Sequence, residues 1–146
     1  MSRGPEGRFQ DRLLDLWRKS GIVCQKFNDL FSEGIPDVHA KLPVVGSKGV
    51  QCPWIELKAI ASWPKRQTTK LPLKSKPTPA QLRWMNSFAT DSAPCWVALN
   101  TPDGWIAMDH VAAEEFWSLP ISAVKSRLSK DQPTFGRILR SIHHES

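Results

Sequence analysis

The sequence predicts an α/β fold, a mixed sheet flanked by helices, from three observations. Apolar residues at helical spacing open the chain, and two strand-like runs flank a glycine-containing turn. A capped helix then leads into two further strand-like runs. The 146 residues fit one domain with an ordinary core, and 40% apolar with 23% charged residues are globular values. Residues 1–146 are therefore read as a single domain, with a core over about 4–109 and a basic extension over about 110–146.

The elements follow in order. Phe9, Leu13, Leu16 and Trp17 place one apolar face on a helix over Pro5 to Lys19, with proline in its first turn and Ser20-Gly21 at its end. Ile22 to Phe27 is a short strand. Two longer strands, Pro36 to Val45 and Val50 to Ala59, flank Gly46-Ser47-Lys48-Gly49, which suits a tight hairpin turn. The stretch up to Pro77 contains Pro64 and Pro72 and reads as an extended loop, open to movement. Thr78-Pro79-Ala80-Gln81 has the pattern of a capping box, and Leu82, Met85, Phe88 and Ala89 give the following helix its apolar face. Pro94 to Asn100 and Trp105 to Met108 are strands joined by a turn at Thr101 to Gly104, and Val111 to Trp117 is a short helix. Beyond Pro120 the pattern weakens to a basic helix or tail.

No apolar run approaches bilayer-spanning length, and the polar N-terminus does not read as a secretory signal. Cys24, Cys52 and Cys95 are scattered without a Cys-x-x-Cys pair, which suits a reducing compartment and gives no zinc framework. A cytoplasmic protein is expected (host cytoplasm if viral), with no membrane contact and no nucleotide cofactor.

A net charge of +6 favours a polyanionic partner. Its distribution is more telling. Lys65, Arg66, Lys70, Lys74 and Lys76 lie in a stretch without a single acid, while Asp103 to Glu115 holds four acids and no Lys or Arg. Lys125, Arg127, Lys130, Arg137 and Arg140 add charge near the C-terminus. The basic loop is the candidate for contacts to the phosphates of a nucleic acid, which position a strand without reading its sequence. Trp63, inside that loop, is the tryptophan placed to stack on a base or pack at a branch point.

Strand alternation puts Trp54, Glu56 and Lys58 on one face and Ile55, Leu57 and Ala59 on the other. A two-residue turn at Ser47-Lys48 would set Asp37 opposite Lys58 and His39 opposite Glu56. Asp37 and Glu56 then become diagonal neighbours, roughly 7–8 Å apart at the backbone. Two converging carboxylates without a thiolate make a hard oxygen site for Mg²⁺, with Mn²⁺ as substitute. Such an ion polarises a phosphodiester and lowers the pKa of a bound water, and Lys58 would orient that water or stabilise developing charge.

Gly34-Ile-Pro-Asp37 followed by Trp54-Ile-Glu56-Leu-Lys58 resembles the PD-(D/E)xK nuclease motif. The resemblance covers about Gly4 to Asn100 and implies a restriction-endonuclease-like core, α-β-β-β-α-β. It implies a catalytic set of Asp37, Glu56, Lys58, Glu6 and Gln81. The metal would be held by Asp37, Glu56, the backbone carbonyl of Leu57 and Glu6. Glu6 in Gly-Pro-Glu-Gly-Arg-Phe matches a helix-borne glutamate of the Holliday junction resolvase branch. Gln81 matches a glutamine bordering the site in many branches, in a segment that also resembles the small VRR-NUC nucleases. Both residues have ordinary explanations as well: an acid belongs in a helix's first turn, and Gln81 completes a capping box. The function expected is a structure-selective endonuclease acting on branched DNA as a homodimer, a junction resolvase in first place. A VRR-NUC-like flap or branch nuclease is the alternative, and a non-catalytic DNA-binding module is the alternative of a different class.

Overall fold

A computed structural model describes residues 4–27, 34–43 and 50–145 of the chain. Helix α1 spans Pro5–Lys19, with proline in the first turn and Phe9, Leu13, Leu14 and Trp17 buried along one face. It ends in a paired C-terminal motif: the Gly21 N–H donates to the Arg18 carbonyl and the Ile22 N–H to that of Trp17. Gly21 makes this possible at φ +85°, where a side chain would be strained.

Six strands follow among the described residues: β1 (Val23–Lys26), β2 (Val38–Pro43), β3 (Val50–Gln51), β4 (Trp54–Ala59), β5 (Cys95–Thr101) and β6 (Gly104–Asp109). The sheet order is β1-β2-β4-β5-β6, with β3 on the far end of β2. The β4–β5 pair is parallel and every other pair is antiparallel. The single strand expected over Val50 to Ala59 is split at Cys52-Pro53. Proline has no N–H for the ladder, and the Cys52 N–H turns away to the Ser92 carbonyl. The Pro53 carbonyl still accepts from Ala40, so the two pieces keep one register against β2.

That register corrects the expected one by two residues. His39 pairs with Trp54 rather than Glu56, and Val38 pairs with Ile55. Leu42 pairs with Gln51 on the same offset. An even slip preserves which face each side chain occupies, so Asp37 still joins Glu56, now at the end of the ladder rather than on a diagonal. The turn at Gly46 to Gly49, from which the register was reasoned, lies outside the described residues.

Helices cover both faces. On one, α1 and α5 (Phe135–Glu145) pack Phe9, Leu13, Trp17, Phe135 and Ile138 over Ile55, Leu57, Trp96 and Trp105. On the other, α2 (Pro79–Phe88), α3 (His110–Phe116) and α4 (Ile121–Lys125) bring Met85, Phe116, Trp117 and Val124 onto Val97, Leu99, Ile106 and Met108. The C-terminal segment thus covers the sheet instead of trailing from it. Its basic residues obscured a strongly amphipathic helix, with Phe135, Ile138 and Ile142 all buried. No helix among the described residues is long and apolar enough to cross a membrane.

The basic loop after β4 is likewise fastened. Ile121 donates to the Thr69 carbonyl and Ser122 to that of Gln67. Leu71 is buried, and the Trp117 indole N–H donates to Ser75 Oγ at 2.9 Å. It is a strap docked on α3 and α4, held by backbone bonds and one apolar anchor that composition alone conceals.

Candidate active site

Strand β4 carries the centre of the site. Its register against β5 sets Glu56 beside Val97 and Lys58 beside Leu99, so both charged side chains sit on an apolar floor. Glu56 is fully buried and Lys58 is 7% exposed. Their charged atoms stand 3.3 Å apart, Lys58 Nζ to Glu56 Oε2. They form an ion pair, and neither Glu56 oxygen has a well-formed hydrogen bond. A buried carboxylate in that condition is costly, because desolvation is not offset.

Asp37 stands at the start of β2. Its Oδ2 accepts the Leu57 N–H at 3.0 Å, which locks the carboxylate onto the edge of β4 beside Glu56. The approach is enforced from behind. Gly34 lies at φ +96°, and a Cβ there would sit 2.5 Å from the Ala80 carbonyl oxygen. Only glycine lets the Gly34-Ile-Pro-Asp37 turn lie against the first turn of α2.

The electrostatics record the crowding. Glu56 has its pKa raised well above the ordinary 4.5, first by burial and then by repulsion from Asp37, while Lys58 pulls it down. A hydrogen bond to Asp37, open only to protonated Glu56, raises it further. Glu6 is raised as well, by burial first; Lys58 lowers it and Asp37 raises it in smaller measure. The N-terminus of α1 therefore lies within the field of the site. Glu6 nonetheless stays largely exposed, and among the described residues no three of His, Cys, Asp and Glu gather into a metal-holding group. The structure brings Asp37, Glu56 and Lys58 together and leaves Glu6 at the rim.

Gln81 serves the helix. Its Oε1 accepts the Thr78 N–H at 2.8 Å, and Thr78 Oγ1 accepts the Gln81 N–H at 3.1 Å. This is the capping box expected from the sequence, and it occupies the carbonyl end of the side chain. Of Leu57, the structure uses the amide N–H as the clamp on Asp37.

The cations of the strap are arranged as a surface. Lys65, Arg66, Lys70 and Lys74 are exposed and Lys76 is half-buried. Beside them opens a cleft of about 500 Å³, lined by Glu6, Ala59, Trp63, Lys74 and Ser75 among others. Trp63 lines that cleft and is held in place there. Its indole N–H donates to Asp103 Oδ2 at 2.6 Å, and Lys125 Nζ lies 5.0 Å over its ring. The ring already has a cation on one face. The sequence also gave no role to His39, which stacks on Trp54 at 4.0 Å between centroids and 6° between planes. Phe27 and Trp84 pack against the same Trp54 ring, at 5.0 and 5.1 Å between centroids. Register alone pairs His39 with Trp54, so a correct turn position would have revealed the stack.

The donor set fits a divalent cation. Two unpartnered buried oxygens on Glu56, beside a second carboxylate held by a backbone amide, offer hard oxygen ligands. Cysteine is absent from the group, which disfavours zinc.

No protein-family model matches the chain, and no curated protein matches it. Among solved structures, the chain is similar to Hjc, a Holliday junction resolvase from the archaeal hyperthermophile Archaeoglobus fulgidus. The TM-score is 0.48 at 21% sequence identity, over 84% of this chain and 97% of that one.

Proposed function

We propose that the chain is a Mg²⁺-dependent DNA endonuclease of the PD-(D/E)xK kind, with Asp37, Glu56 and Lys58 as its catalytic residues. The observation that carries this reading is the buried Glu56 carboxylate, with both oxygens unpartnered, set between Asp37 and Lys58. The Lys58 ion pair leaves both Glu56 oxygens without a hydrogen bond, so a metal cation is a further partner this carboxylate can take. The sheet order and the α1–sheet–α2 layering support a restriction-endonuclease-like core.

Asp37, Glu56 and the Leu57 carbonyl would hold the metal, with Glu6 reaching toward it from the rim. Bound there, Mg²⁺ supplies electrophilic activation of a phosphodiester and of a water, and Mn²⁺ would substitute. The Leu57 N–H fixes the Asp37 carboxylate, so that it need not reorganise as charge develops. Lys58, held among apolar side chains and close to Glu56, orients the attacking water and stabilises negative charge on the phosphorus oxygens. The strap lysines bind the flanking phosphates, which fixes register without base readout.

Glu6 at the head of α1 favours a junction resolvase within this class, acting on branched DNA as a homodimer whose two sites meet two equivalent phosphates. The test is cleavage of labelled four-way junction, flap and linear duplex, side by side, with Mg²⁺ and with chelator. Paired symmetric nicks confined to the junction are expected. Cutting of flap or duplex instead would move the assignment to a flap or branch nuclease, and tight binding without cutting would make the chain a DNA-binding module.

A further inference from the structure

The strap holds one apolar side chain out into solvent. Leu73 is 79% exposed, the most exposed of the large hydrophobic residues described. Single exposed leucines are ordinary on protein surfaces, so exposure alone says little. Its mounting is another matter. Leu73 opens a 3₁₀ turn, Leu73–Ser75, directly after Pro72. The Ser75 and Lys76 N–H groups donate to the Pro72 and Leu73 carbonyls, both at 3.0 Å. Ser75 Oγ donates to the Pro72 carbonyl at 2.6 Å and accepts from the Trp117 indole. Leu71 on one side and Pro77 on the other are buried. The turn is thus bolted to the core by the residues around its exposed tip.

Its surroundings are polycationic. Lys70, Lys74 and Lys76 lie within three residues of Leu73, with no acid in the strap. Pro72, Lys74 and Ser75 line the same cleft as Glu6. An apolar tip on a rigid mount, flanked by phosphate-binding charges, suits the interior of a base stack. Such wedges enter between bases where stacking is already weakened, because an intact step resists unstacking. Trp63, the aromatic alternative in the strap, is already engaged by Asp103 and Lys125.

We infer that Leu73 is a wedge that inserts into DNA at an interruption of the base stack and so selects branched over continuous duplex. This rests on the nuclease reading above and supplies the element by which that site would choose its substrate. The lysines beside it bind the phosphates on either side of the opened step, and the cleft next to it receives the strand to be cut.

The test uses the full chain and a four-way junction carrying 2-aminopurine at the branch, in chelator so that no strand is cut. A continuous duplex with the same probe is the control. Wild type should raise the fluorescence several-fold on the junction and leave the duplex unchanged. Leu73→Ala should lose that rise and bind the junction roughly tenfold more weakly, with duplex binding unaltered. Leu73→Met should restore both. The exposed position predicts unchanged melting for either variant, which separates the effect from misfolding. An equal rise with Leu73→Ala, or no rise with a wild type that binds and cuts the junction, would overturn the wedge and leave the nuclease standing. A wild type that neither binds nor cuts any DNA would overturn both, and that failure is seen before any variant is made.

Discussion

The two faces of β4 are buried to a similar degree and built from opposite chemistry. Ile55 and Leu57 lie at 0% exposure beneath α1 and α5, with their side chains in the apolar core. Glu56, also at 0%, and Lys58 face the other way with a 3.3 Å ion pair and two Glu56 oxygens without a hydrogen bond. One face stabilises the fold and the other strains against it. Burial alone therefore does not distinguish core from site, whereas unsatisfied burial does.

Substitution should separate the faces by what is lost. Asp37→Asn, Glu56→Gln and Lys58→Met should each lower cleavage by about a thousandfold or more, the scale on which loss of a charge-stabilising group slows such reactions. Each should remain folded by circular dichroism. Leu57→Ala on the opposite face should instead destabilise the protein by about 2–5 kcal/mol in denaturant unfolding. A Leu57→Ala variant as stable as wild type would erase the contrast.

Glu56→Gln carries the sharper consequence. Replacing the carboxylate by an amide of the same shape removes its titration and should alter the pH dependence of stability in the chelated protein. The sign follows from the raised pKa. Folded Glu56 holds its proton more tightly than the unfolded chain does, so its share of stability is full below the ordinary 4.5. That share is lost as pH rises from there through the raised folded value. Wild type in chelator should therefore lose stability with rising pH over that interval by more than Glu56→Gln does, as thermal melts in a buffer series would measure. Parallel pH profiles would mean that Glu56 is better satisfied than its geometry indicates.

The outer rim of the polar face gives smaller effects. Reversing charge at Lys70 and Lys74 should flatten the logarithmic salt dependence of DNA binding by about two units in slope, roughly one per lost phosphate contact. An unchanged slope would remove the strap from the interface. Gln81→Ala should cost about 1 kcal/mol of stability through the capping box. A collapse of cleavage without loss of stability would give Gln81 a place at the chemistry instead.

Much of this was legible in residues whose signal is local. The α1 boundaries were written by Pro5 and Gly21, the capping box by Thr78 and Gln81, and the split of β4's faces by alternation alone. What depended on distant pairing was not legible. The register against β2 was argued from a turn position, and an error of two residues left the faces intact while misplacing His39 and Glu56. The docking of the strap rests on backbone bonds from Ser122 and Ile121 to Gln67 and Thr69, which no side-chain pattern announces. The C-terminal helix was masked by its own arginines, whose charge drew attention from the spacing of Phe135, Ile138 and Ile142. The engagement of Trp63 by Asp103 joins positions forty residues apart, beyond the reach of any local pattern.

On the proposed reading, the unpartnered Glu56 oxygens and the Asp37 carboxylate clamped beside them hold a cation together. Thermal melting of the metal-stripped protein, titrated with Mn²⁺, tests it most directly. Binding at the native site should raise the midpoint of wild type by several degrees and leave Glu56→Gln and Asp37→Asn where they began. Equal shifts in all three proteins, or none in wild type at concentrations that support cleavage, would contradict it.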